Sequence, residues 1–594
     1  MNLRPYQEEA LQAVVDNLCA GIRQQLLVLA TGLGKTVIAA QLPTVLKDLA
    51  PGKLLFIAHR NELLTQAKDK IQAWNPTLKI GLEKAESHAD PNDDVIIACN
   101  ASIGRTGSTR MAHFWDDISV IVIDEVHHAV ADSYLNILND SGVLLPDSKK
   151  VLIGLTATPK RHNRKRTGQP GLLDEDELIS LKSIFKKVVY SYGIRKGIKQ
   201  GYLASLHGFR IHTKTNLDSV KSTAGDFQVD QLSDAVNTPE RNTQVVKAWK
   251  DNIKDKQSLC FTVDVQHAKD LAEVFMHNGV LAQPIYGDDP QRAEKLLWFE
   301  HGKIQVLCNC ALLTEGFDSP SVACIVLARP TKSGSLYTQM VGRGTRLKEG
   351  KDKCTVIDVC DNYKRCSLVT LPSLVGLNPE LDLQGGSVTE AADKMEALAD
   401  KYPTIDLSHL TDLTKVDAYI ESLDLFSEPY TEEVKEFSQL TWMACSDGSY
   451  ILSVPEKKAL SDTRSFAQFQ HEKLHITPTE LDEFELSITS VNTDRKLGLY
   501  NTLKEAFASA DEVIQRCRPD RMVLLKREAE WHTRPASEPA KTLLRKLSKK
   551  KPVLKCICAG YSKGQLCPTC KLPTGITAGE ASVAINLLKA RRKK

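Results

Sequence analysis

Short apolar runs alternate with longer segments of helical character over the first 160 residues, and this alternation constrains the fold more than any other feature. The runs are LLVLA, KLLFIAH, DVIIACN, ISVIVIDE and KVLIGLTAT. Such spacing is typical of βαβ units on a parallel sheet with short loops. The pattern restarts after residue 205 with SLCFTV, IQVLCN, ACIVLARP and CTVIDVC. The sequence therefore predicts an α/β fold with two parallel-sheet lobes in tandem, bridged by the charged stretch 160–200.

The 594 residues exceed the length at which a single hydrophobic core keeps growing, so several domains are expected. Beyond Pro372 the composition changes, and a hairpin around Asp447-Gly448 and an amphipathic helix over 499–517 predict a small α+β module. The predicted domains are lobe 1 at 1–200, lobe 2 at 201–372, an acidic helical connector at 373–436, the α+β module at 437–540 and a basic tail at 541–594.

Charge is distributed unevenly along the chain. Residues 541–594 hold 14 Lys or Arg against one acid, Glu580, so this tail carries +13 while the net charge of the whole chain is +3. A basic tail on an otherwise acidic chain favours a polyanionic partner, because neutralising phosphates releases counterions. The alternative is a solvated tail without a ligand.

Features of a membrane or secreted protein are missing from the sequence. No apolar run approaches the roughly 18 residues of a membrane span, and the first residues, MNLRPYQEEA, resemble neither a signal peptide nor an Arg-rich presequence. Cysteines in apolar strands, such as Cys308 and Cys310, fit a reducing compartment. The sequence predicts a cytoplasmic protein without a membrane partner.

The segment ATGLGKT at residues 30–36 directly follows the run LLVLA. A loop between a strand and a helix presents backbone N–H groups to anionic oxygens, so this segment predicts a phosphate site. Lys35 is expected to reach the β- and γ-phosphates of ATP, and Thr36 to bind Mg²⁺. The generic phosphate-loop pattern has glycine where this chain has Leu29. The other residues expected to hold the nucleotide here are Thr31, Gly32 and Gly34.

The strand ISVIVIDE ends in two adjacent carboxylates, Asp124 and Glu125. At the carboxyl edge of the sheet, Asp124 is expected to hold Mg²⁺ and Glu125 to polarise the attacking water. Adjacent acids at a strand end are common by chance. They become informative here because they follow a phosphate loop by about 90 residues.

The second lobe contributes the segment QMVGRGTR at residues 339–346, in which Gln339, Arg343 and Arg346 are the candidates for chemistry. Arginines three residues apart predict one face of a helix, from which they would act as arginine fingers on the γ-phosphate. The alternative is a pair of surface arginines in salt bridges.

These motifs in this order, with Asp124-Glu125-Val126-His127 as a DEVH element, resemble the DExH branch of superfamily 2 helicases over about residues 1–370. The phrases DEVHHAVADSY, TEGFDSP and RPTKSGSLYTQMVGRGTRL are most similar to the mitochondrial branched-DNA helicases of fungi and the RadD-type bacterial repair helicases. The resemblance implies RecA-like lobes, and a phosphate loop of this branch does not need the glycine that Leu29 replaces.

The resemblance also implies roles for residues that spacing alone does not single out. Gln7 in LRPYQ would read the adenine edge, and Asn100-Ala101-Ser102 departs from the branch, whose members often carry Gln in that segment. The expected nucleic-acid contacts are Arg60, Thr262 and Thr314. The residues expected to couple hydrolysis to strand movement are His127, Thr156 and Thr158, although His127 alternatively packs as a core residue. Two further residues expected at the nucleotide are Gly316 and Asp318.

Four cysteines near the C-terminal end are spaced as metal ligands, in the segment CICAGYSKGQLCPTC. Two close pairs across a glycine-containing loop can reach tetrahedral coordination around Zn²⁺, which would fold a segment too small for its own core. The alternative is four reduced thiols without metal. The residues are Cys556, Cys558, Cys567 and Cys570.

The function predicted from these features is an ATP-dependent DNA helicase or translocase that uses Mg²⁺. Its substrate would be single-stranded, duplex or branched DNA in repair, recombination or replication. Two alternatives remain at this stage: a motor subunit of a restriction or defence system, and an RNA helicase or ATP-switched nucleic-acid-binding protein.

Overall fold

A computed structural model gives the fold of the chain. It divides into two compact units, the first comprising Met1–Val375 and Asp382–Glu390 and the second Gly376–Leu381 and Ala391–Lys594. The structure describes residues 2–59, 61–126, 132–157, 181, 184–223, 226–253, 255–310, 319–362, 368–401, 407, 410–416, 431–444, 448–454, 472–479, 483–490, 493–526, 535–547, 576–578, 580–581 and 584–585.

The first lobe is built on a seven-stranded sheet in which every pairing is parallel, in the order β3-β4-β2-β5-β6-β1-β7. Its strands are β1 (Gln24–Leu29), β2 (Lys53–Ala58), β3 (Ile80–Glu83), β4 (Val95–Cys99), β5 (Ile118–Asp124), β6 (Val151–Thr156) and β7 (Lys187–Tyr192). Its described helices are Pro5–Cys19, Lys35–Val45, Asn61–Trp74, Asn100–Ile103, Asp132–Asp140 and, after β7, Ile194–Lys199.

The five apolar runs of the first 160 residues all form strands, as predicted, and their side chains are buried on both faces of the sheet. A strand covered by helices on both faces reads as a continuous apolar run, which is why these five were recognisable. The stretch 160–200, predicted as the bridge between the lobes, also contributes a strand to the first lobe. Strand β7 lies in that stretch and pairs with β1 at the edge of the sheet, where half-buried residues such as Tyr190 leave a weaker pattern.

The second lobe has a six-stranded parallel sheet in the order β12-β13-β11-β14-β15-β8. Its strands are β8 (Ser205–Asn216), β11 (Ser258–Thr262), β12 (Ala282–Ile285), β13 (Val306–Cys310), β14 (Cys324–Leu327) and β15 (Lys353–Asn362), and a separate two-stranded hairpin consists of β9 (Ser222–Thr223) and β10 (Asp226–Phe227). Its described helices are Val229–Val236, Pro239–Asn252, Val265–His277, Arg292–Glu300 and Gly334–Gly342, followed by the 3-10 turn Leu371–Val375. The helix Val388–Lys401 begins in the first unit and continues in the second. Strands β8 and β12, which were not predicted, occupy the two edges. The two parallel-sheet lobes are RecA-like, as the sequence predicted.

The second unit contains a five-stranded antiparallel sheet in the order β16-β17-β18-β19-β20. Its strands are β16 (Met443–Ala444), β17 (Tyr450–Val454), β18 (Glu472–Pro478), β19 (Phe484–Ser490) and β20 (Thr493–Tyr500), and its described helices are Glu432–Phe437, Leu503–Cys517, Pro519–Leu525 and Glu538–Leu547. Pairing of β16 with β17 confirms the predicted hairpin near Gly448. Phe507 on the helix packs against Trp442 and Tyr450, which joins helix and sheet in one core.

The described part of the tail forms a separate small cluster of buried apolar residues within the second unit. Ala536 N–H donates to the Ile576 carbonyl at 3.0 Å, and Leu544 packs with Ile576 and Ala581. The helix Glu538–Leu547 therefore crosses the predicted boundary between residues 540 and 541. Within the described ranges, no helix is long and apolar enough to cross a membrane.

Candidate active site

The phosphate loop leaves β1 at the carboxyl edge of the first sheet and enters the helix Lys35–Val45. Gly32 and Gly34 have φ of +91° and +75°, which glycine adopts without the strain that a side chain imposes. A Cβ on Gly34 would stand 2.8 Å from Nε2 of Gln7, so a side chain there would also displace the Gln7 amide from the loop. Thr31 and Thr36 are half-buried on either side of these glycines.

The two carboxylates lie at the same edge as the loop, because β5 and β1 both pair with β6 in a parallel sheet. Asp124 ends β5 and is buried, and Glu125 follows it with φ of +48°. Glu125 N–H donates to Asp124 Oδ1 at 2.9 Å. Lys35 Nζ lies 3.2 Å from Glu125 Oε1, with only 9% and 12% of the two side chains exposed. The fold thus brings the predicted lysine and the predicted water-polarising acid into direct contact.

Thr156 ends β6 between these two strands and is fully buried. It pairs with Val28 of β1, immediately before the phosphate loop. The structure therefore places Thr156 between the loop and the acids, while its role in coupling stays a prediction.

Gln7 and Tyr6 contact the phosphate loop from the N-terminal helix. Tyr6 Oη donates to the Leu33 carbonyl at 2.8 Å, and Gln7 Nε2 donates to the same carbonyl at 3.3 Å. Gln7 Oε1 accepts from Arg4 N–H at 3.0 Å. The structure places Gln7 on the loop, whereas its contact with adenine stays a prediction.

Two further tyrosines, which the sequence did not single out, pack against Tyr6 beside the phosphate loop. The ring centroids of Tyr192 and Tyr202 lie 4.6 Å and 4.8 Å from that of Tyr6. Tyr192 is at the end of β7, and Tyr202 follows the helix Ile194–Lys199. No local sequence signal marks these residues, because only strand pairing brings them to Tyr6.

The arginine segment differs from its prediction in one respect. Gln339 is buried in the helix Gly334–Gly342, but that helix ends before Arg343, so the two arginines do not share one helical face. The reason is close packing of the chain beyond the helix, since a Cβ on Gly344 would lie 2.2 Å from the Cys354 Sγ of β15. Arg343 is buried and Arg346 half-buried on this irregular segment.

The arginine segment lies against the phosphate loop. A Cβ on Gly342 would stand 2.5 Å from the Cβ of Thr31, so the backbone of the second lobe approaches the loop more closely than any side chain permits. The two lobes therefore meet at the residues predicted to hold the nucleotide.

A buried carboxylate supports the helix that leads to the arginines. Tyr337 Oη donates to Asp358 Oδ1 at 2.6 Å, and Leu371 N–H donates to Asp358 Oδ2 at 2.9 Å. Burial raises the pKa of Asp358 to about 6, against the lowering effect of these two hydrogen bonds. Ionisation of Asp358 therefore has a desolvation cost. Through its hydrogen bond to Tyr337, Asp358 also ties the helix Gly334–Gly342 to β15.

This raised pKa predicts a pH-dependent stability. The folded state holds the Asp358 proton more tightly than the unfolded chain, so stability present below about pH 4 is lost as the pH rises through about 6. Between pH 5 and pH 7 we expect the wild type to lose about 1 kcal/mol of unfolding free energy relative to Asp358→Asn, which cannot titrate. Urea unfolding of both proteins at the two pH values measures this, and a difference independent of pH would contradict it.

Thr262 is buried at the end of β11, and its hydroxyl lies 3.0 Å from the Asn309 carbonyl. Its contact with nucleic acid stays a prediction. The remaining predicted residues lie outside the described ranges: Arg60, His127, Thr158, Thr314, Gly316, Asp318, Cys556, Cys558, Cys567 and Cys570. Within the described ranges, no group of three or more His, Cys, Asp or Glu side chains is arranged to hold a metal ion.

Comparison with known families gives two matches within the first unit. Residues 1–161 match the family described as type III restriction enzyme, res subunit. Residues 240–348 match the helicase conserved C-terminal domain. The first match contains the phosphate loop and the two acids, and the second contains the arginine segment.

Three curated relatives extend these matches. The irc3 protein of Schizosaccharomyces pombe, named as a mitochondrial ATP-dependent helicase, is 30% identical over 90% of this chain and 85% of its own length. The IRC3 protein of Saccharomyces cerevisiae, named as an ATP-dependent helicase, is 34% identical over 64% of this chain and 54% of its own length. The endonuclease subunit of the type I restriction enzyme EcoAI of Escherichia coli is 27% identical over 60% of this chain and 46% of its own length. The chain thus spans about half the length of the latter two.

Proposed function

The chain belongs to the Irc3 family of ATP-dependent superfamily 2 helicases, and on this premise we propose that it is a DNA motor that opens or remodels branched DNA. The observation that carries the proposal is the meeting of Lys35 with Glu125 at the phosphate loop, with the arginine segment packed on the same loop. Lys35 and Glu125 are in contact, and the backbone beside Arg343 packs on the same loop, so the chain offers near one another the cation, the acid and the arginines that phosphoryl transfer needs.

The roles of the loop and acids follow from their geometry. When ATP enters, Lys35 turns from Glu125 to the β- and γ-phosphates, because phosphate oxygens offer it a denser negative charge than one carboxylate. Glu125 is then available to orient the attacking water. In this proposal, the contact between Lys35 and Glu125 at 3.2 Å would be the state before ATP binds.

A magnesium ion fits the residues beside the loop. Asp124 is a buried carboxylate at the strand end, and Thr36 is a half-buried hydroxyl on the first turn of the loop helix. Oxygen ligands of these two kinds, with phosphates and water, are those that Mg²⁺ prefers. Bound there, the ion would neutralise charge on the phosphates.

Arg343 and Arg346 would stabilise the charge that develops on the transferred phosphoryl group. Gln339, in the last turn of the helix Gly334–Gly342 that precedes the arginines, would help to position the nucleotide. The support is the buried position of Gln339 and Arg343 on the segment that touches the loop. Hydrolysis then changes the contact between the lobes, which would move the bound strand across them.

DNA rather than RNA is the proposed substrate, and matched substrates test it. Forked, gapped and junction DNA, and RNA of the same sequences, are titrated against ATPase rate and strand separation. We expect branched DNA to stimulate ATPase and to be unwound, with RNA far less effective. Stimulation by RNA alone would replace the proposal with the RNA helicase alternative.

A motor subunit of a restriction or defence system is the second candidate. The match of residues 1–161 to a restriction-enzyme family favours it, while the sequence after residue 370 offers no convincing carboxylate-lysine cluster for a nuclease. Cleavage of plasmid DNA in the presence of ATP, by this chain with no added subunit, would favour this candidate.

We also propose that the tail grips DNA without contributing to catalysis, and a deletion tests this. The described members of the apolar cluster around Leu544 and Ile576 lie within residues 536–585, so removal of residues 535–594 takes this whole cluster away. We expect weaker DNA binding, with the log-log salt slope on duplex falling in magnitude by about 0.9 for each phosphate that the tail no longer neutralises. Basal ATPase should be unchanged.

The four cysteines of the proposed zinc site lie in the same tail. One equivalent of zinc is expected in the purified chain, and less when Cys567 and Cys570 are replaced by serine. If the deletion left DNA affinity and salt slope unchanged and raised basal ATPase, the tail would be an autoinhibitory lid. The predicted cytoplasmic location stays a prediction, since the name of the fission yeast relative places that protein in mitochondria.

A further inference from the structure

Thr345 stands between the two predicted arginine fingers and is completely buried. Its Oγ1 lies 2.9 Å from the Gly342 carbonyl and 3.4 Å from the Thr31 carbonyl of the phosphate loop. A hydroxyl has one hydrogen, so Thr345 donates to one of these carbonyls at a time. The hydroxyl can therefore donate either to the last residue of the helix Gly334–Gly342 or to Thr31 of the first lobe.

The backbone of Thr345 has a separate contact with the linker between the lobes. Its carbonyl accepts from Ala204 N–H at 2.7 Å, directly before β8 begins. The preceding residue, Leu203, is buried beside the loop glycine Gly32. A Cβ on Gly32 would meet Thr345 Oγ1 at 2.9 Å and Leu203 Cδ2 at 3.0 Å. Thr345 and Leu203 therefore cover the phosphate loop from the second lobe and the linker together.

On the phosphate loop, the residue facing Thr345 has a buried hydroxyl without a hydrogen-bond partner in the described part of the chain. This hydroxyl oxygen is Thr31 Oγ1. It would lie 3.1 Å from a Cβ on Gly342. A buried hydroxyl without a partner favours any rearrangement that gives it one. Phosphate binding at the loop would be such a rearrangement, and it would move the Thr31 carbonyl that lies 3.4 Å from Thr345 Oγ1.

We propose that Thr345 is a positioning residue that holds the arginine segment on the phosphate loop and passes the state of that loop to the linker. The inference rests on the proposed function, because it assigns a regulatory contact to the same ATP site. Thr345 contacts neither nucleotide nor metal in this role. It acts through Thr31 on one side, Ala204 on the other, and Arg343 and Arg346 beside it.

Thr345→Val tests the proposal, since valine keeps the shape and removes the hydroxyl. We expect turnover of ATP in the presence of DNA to fall about tenfold, which is the effect of one lost hydrogen bond. KM for ATP should change by less than about twofold, because the loss affects alignment rather than ground-state binding. Thr345→Ser keeps the hydroxyl and should restore most of the turnover.

Thr338→Val is the matched control. Thr338 is a buried threonine of the helix Gly334–Gly342, and its hydroxyl donates to the Gly334 carbonyl of that helix at 2.7 Å. The variant loses the same hydroxyl, but the hydrogen bond that it removes lies within a single helix of the second lobe. We expect its turnover to stay within about twofold of the wild type.

A second readout separates positioning from stability. DNA affinity is measured with and without a non-hydrolysable ATP analogue, and the ratio of the two affinities reports coupling between the sites. We expect this ratio to approach one in Thr345→Val and to stay at the wild-type value in Thr338→Val. Thr345→Ala serves in the same assay if the valine variant does not fold.

Two outcomes would overturn the inference. Either Thr345→Val matches Thr338→Val in turnover and coupling, or Thr345→Val and Thr345→Ala lose thermal stability while the coupling ratio keeps its wild-type value. A wild type without DNA-stimulated ATPase is a different result, because it refutes the proposed function itself.

Discussion

Lys35→Ala is expected to abolish nucleotide-dependent work, whereas Glu125→Gln should bind ATP and retain nucleic acid without turnover. Lysine supplies the charge that holds the β- and γ-phosphates, while the glutamate acts on water after ATP is bound. We would measure ATP binding by fluorescence titration, turnover by single-turnover ATPase assays and DNA binding by filter retention, for both variants. Substantial ATPase in both variants would refute the site assignment.

The structure adds a control to this experiment. Lys35→Ala removes the cation 3.2 Å from Glu125 Oε1, so part of its effect could be lost stability. The double variant Lys35→Ala, Glu125→Gln removes both charges together. We expect it to be closer to the wild type in thermal stability and still inactive, which would assign the loss in Lys35→Ala to catalysis.

Arg343→Ala and Arg346→Ala are expected to reduce turnover by orders of magnitude and ATP affinity only slightly. Arginine fingers contribute roughly 10³–10⁵ to turnover in other phosphoryl-transfer enzymes, because their charge matches the transition state. Arg343 is buried on the segment that touches the phosphate loop and Arg346 is half-buried, so we expect the larger loss for Arg343. The ratio of kcat to KM and the affinity for an ATP analogue give the measurement.

Lys348→Ala is the matched control for the arginines. Lys348 is an exposed cation two residues beyond Arg346, so its removal changes the net charge of the segment equally. We expect its turnover to be unchanged. If Arg343→Ala or Arg346→Ala were equally neutral, that arginine would have no role at the phosphate.

The candidate residues of the ATP site could be picked out from the sequence, because each motif is short and local. The phosphate loop needs glycines at fixed positions and a lysine at the start of a helix, and the acids need only a buried strand that ends in carboxylates. The apolar runs that form β1, β2, β4, β5 and β6 were equally visible, because strands covered on both faces have no polar positions. The edge strands β3, β7, β8 and β12 were missed, because one exposed side permits polar residues that weaken the pattern.

The tertiary structure alone decided which of these residues meet. Lys35 and Glu125 are 90 positions apart, and their contact depends on the order β5-β6-β1 in the sheet. Tyr192 reaches Tyr6 only because β7 pairs with β1.

The arginine segment shows the same division most clearly. Its sequence identified Arg343 and Arg346 but predicted a continuous helix, since three-residue spacing is helical in the absence of other information. The helix ends at Gly342 because the backbone there packs against Thr31 of the other lobe and, at Gly344, against Cys354 of β15. The sequence by itself determined which groups are candidates for the chemistry, since residue type and local spacing set that. Packing between the lobes decided where those groups stand and how Thr345 connects them, because close contacts between segments hundreds of residues apart leave no local pattern.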